Sequence, residues 1–98
     1  MHVSIRRYRG VDADALAREI ERDFAPRLRR APGFAAYYVM IEGADGLTTV
    51  SVFSTAAMAA ESDAIAADWM RERDQGAPLE PVDVSAGRLA FAAPPIRG

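Results

Sequence analysis

The chain has 98 residues, half of them apolar and 27% charged, the balance of a single folded domain rather than of a disordered segment. Twelve arginines stand against fourteen acids, for a formal net charge of −2, too even for an electrostatic nucleic-acid binder or a polybasic membrane anchor. Cysteine, lysine and asparagine are all missing, and His2 is the sole histidine. That excludes disulfides, thiolate nucleophiles, cysteine-ligated zinc, iron–sulfur centres, Schiff-base lysines and P-loops.

In chain order, His2 to Arg9 alternates, with Val3, Ile5 and Arg7 on one side and Ser4, Arg6 and Tyr8 on the other, and predicts a strand. After the break at Gly10-Val11, Asp12 is a candidate N-cap. From Asp12 to Arg30 the apolar residues Ala13, Leu16, Ala17, Ile20, Phe24 and Leu28 keep the spacing of an amphipathic helix. Pro26 predicts that it kinks or that its last turn splits off, and Ala31-Pro32-Gly33 a stop. Residues 34–54 read as an antiparallel hairpin, Phe34 to Glu42 and Leu47 to Ser54 around Gly43-Ala44-Asp45-Gly46. Ser54 or Thr55 then caps a second helix to about Asp74, with an inner stripe of Met58, Ser62, Ile65, Ala66, Trp69 and Met70. Gln75-Gly76-Ala77-Pro78 ends it. Residues 79–84 predict a connector, 87–93 a last strand, and Pro94-Pro95 a stop.

The order β-α-β-β-α-β predicts an α+β, ferredoxin-like fold in one domain over residues 1–98: a four-stranded antiparallel sheet with two helices on one face. Two helices cover only one sheet face. The other should be polar in a monomer, yet Phe34 to Ile41 is apolar on both parities, and Val50, Val52 and Phe53 add to it. A homodimer packed through the sheet face resolves this; a C-terminal tail folded across the sheet is the alternative. No apolar run approaches the ~20 residues of a membrane-spanning helix. Met1-His2-Val3 opens directly into a strand pattern without a signal peptide, so a cytoplasmic protein with no membrane partner is expected.

Beyond this element order, the Ala31-Pro32-Gly33-Phe34 turn, the Tyr37-Tyr38-Val39 and Ser51-Val52-Phe53 strands, and the helix with Glu61-Ser62 and Ala66-Ala67-Asp68-Trp69 resemble the antibiotic-biosynthesis-monooxygenase-like family of the dimeric α/β-barrel superfamily. The resemblance spans nearly the whole chain and is carried by the Pro-Gly-Phe turn and the helix tryptophan. It implies a homodimer whose sheets form a central barrel, with a small-molecule pocket between sheet and helices in each subunit. Some members oxidise aromatic polyketides with O₂ and no cofactor; others degrade haem. Two departures stand out. Family oxygenases carry an asparagine near the tryptophan-bearing helix or on the first strand, with the tryptophan and a histidine or arginine, and this chain has no asparagine; Ser62 occupies a comparable helical face without supplying an amide. Haem degraders use a histidine on the second helix, and none is present here.

The candidate substrate-binding residues are Trp69, Ser62, Tyr38, Tyr8 and Arg7. Trp69 is either a core aromatic or a wall that stacks a planar substrate. Ser62 shares its stripe two turns away and either bonds a backbone carbonyl one turn back or points into a pocket. Tyr37 and Tyr38 face opposite ways; Tyr38 shares a parity with Phe34 and Met40, and is taken as the pocket residue. Tyr8 lies on a strand expected to be central. Of Arg6, Arg7 and Arg9, one must point where apolar residues point and needs an anion, from the protein or from a ligand; Arg88 is a second candidate of this kind. Asp68 and Glu72 lack a third ligand, and no metal or other cofactor is expected. The strand Leu47 to Phe53 has one aromatic and no cation, which argues against RNA binding. Two functions remain: a cofactor-independent monooxygenase for aromatic or polyketide-like molecules, or a non-catalytic dimeric module for a small ligand or a protein.

Overall fold

A computed structural model of the chain describes residues 1–73 and 79–96. The strands are β1 (His2–Tyr8), β2 (Phe34–Glu42), β3 (Gly46–Phe53) and β4 (Asp83–Arg88), and the helices α1 (Ala13–Glu19), α2 (Ala25–Leu28) and α3 (Ala56–Glu72). A π-helical turn, Ile20–Phe24, joins α1 to α2, so the two form one continuous rod. The sheet order is β2-β3-β1-β4, antiparallel throughout, which is the ferredoxin-like arrangement expected from the element order. Gln75 to Pro78, expected to end the second helix, and Asp74, its expected last residue, lie outside the described residues.

Both long helices begin where the sequence places a cap. The Asp12 carboxylate accepts from the Ala15 N–H at 3.2 Å, and the Thr55 hydroxyl from the Met58 N–H at 3.1 Å, each satisfying a donor the first turn leaves free. The kink expected at Pro26 takes the form of the π turn. Proline offers no N–H to the Arg22 carbonyl, and its ring crowds that oxygen. The chain widens just before it, and the Ala25 N–H reaches back to Ile20. At the end of the rod, Gly33 adopts φ +78°. A Cβ there would be strained and would also strike the Met58 thioether.

The last strand lies four residues earlier than the sequence predicts. Asp83 pairs with Arg7 and Arg88 with His2, and beyond the Leu89 N–H bond to the Met1 carbonyl no residue of β1 remains to pair with. Apolar pattern favours 87–93, but the length of β1 sets the register. β4 is an edge strand, and all of its residues are exposed.

Registry assigns the faces. Tyr8, Arg6 and Ser4 lie opposite Leu47, Thr49 and Ser51 and point to the helices, with Tyr37 and Val39 beside them on β2. Val3, Ile5 and Arg7, with Val50, Val52, Ala36, Tyr38 and Met40, form the other face. The core lies between sheet and helices, around Leu16, Ile20, Phe24, Leu28, Leu47, Phe53 and Trp69.

Candidate functional site

A cavity of about 50 Å³ lies inside this core. Its roof is apolar apart from Ser62: Leu16, Ile20 and Phe24 come from the first rod, and Ala66, Trp69 and Met70 from α3. Its floor is polar: Arg6, Tyr8, Tyr37, Thr49 and Ser51 from the sheet. The strand alternation produces this division, because the same face of three adjacent strands carries those polar side chains between the large apolar residues Leu47 and Phe53.

Trp69 is 5% exposed. Its ring lies 5.2 Å from that of Phe24, and Phe24 meets Tyr37 edge-on at 5.8 Å, so three aromatics make one wall. The π turn carries Phe24 and Ile20 into it. On the far side of the indole, the Arg73 guanidinium stacks 5.1 Å from the ring and grips Glu19 with two bonds of 2.7 and 3.0 Å. That pair is mostly shielded from water, and it ties the end of α3 to α1 across Trp69.

Of the sequence-selected residues, Trp69, Ser62 and Tyr8 meet at the cavity. The Ser62 hydroxyl donates to the Ala59 carbonyl at 2.6 Å, the backbone bond that is the plainer of its two readings. Tyr38 and Arg7 are not there. Tyr38 is 56% exposed on the opposite sheet face, and Arg7 is exposed on that same face. Their neighbours Tyr37 and Arg6 take the inward positions. A bulge between Phe34 and Ala36 accounts for the tyrosine. It turns Phe34 to the helix side, where its ring meets Phe53 at 5.9 Å, so Tyr38 no longer shares a face with Phe34. Arg88 lies in exposed β4, away from the cavity.

Arg6 is the only charged side chain among the described residues that line the cavity. It is one-third exposed and donates from Nη2 to Asp63 Oδ1 on α3 at 3.0 Å. Burial pushes the Tyr8 phenol up from its ordinary value of 10.0, offset in part by the Arg6 charge. Burial raises Tyr37 more strongly, and the nearby Tyr8 adds to this, while Thr49 and Arg6 oppose it. Both phenols are therefore neutral donors at pH 7, and no carboxylate or imidazole is among the described lining residues. The pH consequence has a definite sign. Below pH 10 the phenols are protonated in folded and unfolded chains alike, and stability does not depend on them. Above it the unfolded chain loses these protons first, so stability falls as pH rises from about 10 through the raised folded-state values. The urea midpoint is expected to stay level from pH 7 to 9 and to drop above 10, with a shallower drop in Tyr37→Phe.

Neither a protein-family model nor a curated protein sequence matches the chain. Among solved structures, the chain is similar to MhuD, a haem degrader from Mycobacterium tuberculosis solved with two haems bound in its active site. The TM-score is 0.60 at 16% identity, over 94% of this chain and 98% of that one. The likeness is one of fold: both chains build the same α+β sandwich over almost their full lengths.

Proposed function

We propose that this chain is a homodimeric small-molecule-binding protein of the antibiotic-biosynthesis-monooxygenase-like kind, with an aromatic ligand held between sheet and helices under Trp69. The observation that carries the reading is convergence. An aromatic wall, two neutral phenols and one arginine, drawn from both helical rods and two strands, meet at one cavity. Arg6 is two-thirds shielded there and keeps its charge beside Asp63, so a cation stands at the edge of an otherwise uncharged set of described lining residues. The second subunit is argued from the opposite face, where Tyr38 and Met40 are more than half exposed beside Val50. Phe91 is 79% exposed, so the tail does not bury its largest apolar side chain against this chain.

The catalytic form of the reading is a cofactor-independent monooxygenase. A substrate CH₂ becomes C=O, one atom of O₂ remains in the product, the other leaves as water, and the substrate carbon supplies all four electrons. The protein orients the ionised substrate and stabilises its charge; no carboxylate or imidazole is among the described lining residues, so this reading suits a substrate that ionises readily by itself. Volume favours the non-catalytic alternative in its protein-binding form. Small-molecule pockets usually hold roughly 300–1,000 Å³, against about 50 Å³ here. Haem does not suit the residues present: α3 carries no histidine or cysteine, and His2 lies at the start of β1.

A thermal-shift screen of the full chain against phenols, quinols and anthrones, followed by oxygen-uptake measurements on every hit, tests the proposal. A stabilising hit weakened in Trp69→Phe is expected. Oxygen consumption with that hit selects the monooxygenase; its absence selects the binding module. A screen without any stabilising aromatic rejects the pocket.

A further inference from the structure

Resting on that reading of the cavity, we infer that its ligand is a small aromatic anion, a single ring bearing a carboxylate or an acidic hydroxyl, whose negative oxygen is held by Arg6. Three observations carry this beyond a general aromatic site. The first is the charge pattern: Arg6 is the single charged lining residue among those described, and it lies on the polar floor opposite the Trp69 and Phe24 rings. A ring against that wall would aim one polar substituent at the guanidinium. The second is donor accounting. A guanidinium has five N–H donors, and among the described residues Arg6 spends one side-chain bond, on Asp63, whose own side chain is 56% exposed. Asp63 thus holds the fork from its solvent side and leaves donors for an incoming oxygen. The third is the lack of a base among the described lining residues. The site cannot remove a proton from a weakly acidic ligand, so the anion has to arrive already formed.

Size points to one ring. A cavity that accepts benzene measures about 150 Å³, so even a single ring must widen this one, and a fused polycycle must widen it several-fold. The half-buried Met70 and Leu79 are the adaptable parts of the lining. Asp63 is a positioning residue for Arg6 in this scheme and does not touch the ligand.

The test is calorimetric titration of the full chain at pH 7 with benzoate, its uncharged isostere benzamide, and 2-naphthoate, repeated in Arg6→Gln, Arg6→Lys and Asp63→Asn. Benzoate is expected to bind roughly tenfold or more tightly than benzamide, as a charge-assisted bond at a partly dry site implies, and more tightly than 2-naphthoate. Arg6→Gln should erase the preference for benzoate over benzamide, Arg6→Lys should restore part of it, and Asp63→Asn should lower benzoate affinity by releasing the guanidinium that Asp63 positions. Equal binding of benzoate and benzamide, or an unchanged preference in Arg6→Gln, overturns the anion assignment and leaves the aromatic pocket standing. Tighter binding of 2-naphthoate overturns the single-ring limit. Binding of none of the three overturns both the inference and the pocket reading beneath it.

Discussion

Replacing Trp69 with alanine is expected to lower the unfolding free energy by about 3–5 kcal/mol, the usual loss when a large buried aromatic is deleted. Three separate losses add here. The indole is 5% exposed, so its apolar area returns to water. Its contact with Phe24 disappears. The Arg73 guanidinium loses the ring it stacks on and is left held by Glu19 alone. In a domain of this length each kcal/mol moves the midpoint by roughly 4–8 °C, so a fall well beyond 10 °C should be plain in a calorimetric scan. The alanine variant also enlarges the cavity, which makes it a poor probe of ligand binding. Trp69→Phe keeps a ring in the wall and separates recognition from stability. A loss under about 1 kcal/mol in Trp69→Ala would mean that α3 is not anchored through this side chain.

The second large effect concerns the other sheet face. The unaltered chain is expected to sediment as a dimer at micromolar concentration, and the double variant Tyr38→Asp, Met40→Asp as a monomer. Both side chains are more than half exposed on the single chain, at 56% and 52%, so the carboxylates stay hydrated there and cost the fold little. In a sheet-to-sheet interface the same two charges would be stripped of water beside Val50 and beside their symmetry mates. That is a penalty of several kcal/mol, or more than a hundredfold in the dissociation constant. The thermal midpoint of the monomeric variant, extrapolated to low concentration, should match that of the diluted wild type. Val52 is unsuited to this purpose. It is 3% exposed within one chain, and a charge there would damage the fold before reporting on assembly. A wild-type monomer at tens of micromolar would remove the dimer from the proposed function.

The misplaced site residues all trace to face assignment. Strand alternation correctly separated Arg6, with Ser4 and Tyr8, from Arg7, with Val3 and Ile5, but nothing in β1 itself says which set meets the helices. Apolar Val3 and Ile5 suggest the core, whereas the helices in fact cover Arg6 and Tyr8. In a sheet with both faces largely apolar, hydrophobicity stops being a compass. The tyrosine pair failed for a more local reason. Parity along β2 runs true from Ala36 onward, but the bulge before Ala36 puts Phe34 out of step, so an aromatic taken to mark the inner face marked the wrong one. Phe24 was visible as a core residue and not as part of the site wall, because its orientation depends on a π turn that Pro26 induces. The last strand slid toward the apolar run at 89–93 although pairing with β1 ends at Arg88.

The amino-acid order by itself determined what short-range physics controls. Side chains next to free backbone donors placed the helix starts at Asp12 and at Ser54 or Thr55, glycine marked the turn at 43–46, and the 3.6- and 2-residue periods specified the element order and hence the ferredoxin-like fold. Tertiary structure alone decided which strand face lies under the helices, where β4 begins, and that Arg6 and Tyr37 share a cavity with Trp69. Those outcomes depend on pairing between segments up to some eighty residues apart, where a single bulge or the end of one strand resets every neighbour, and no local pattern carries that information.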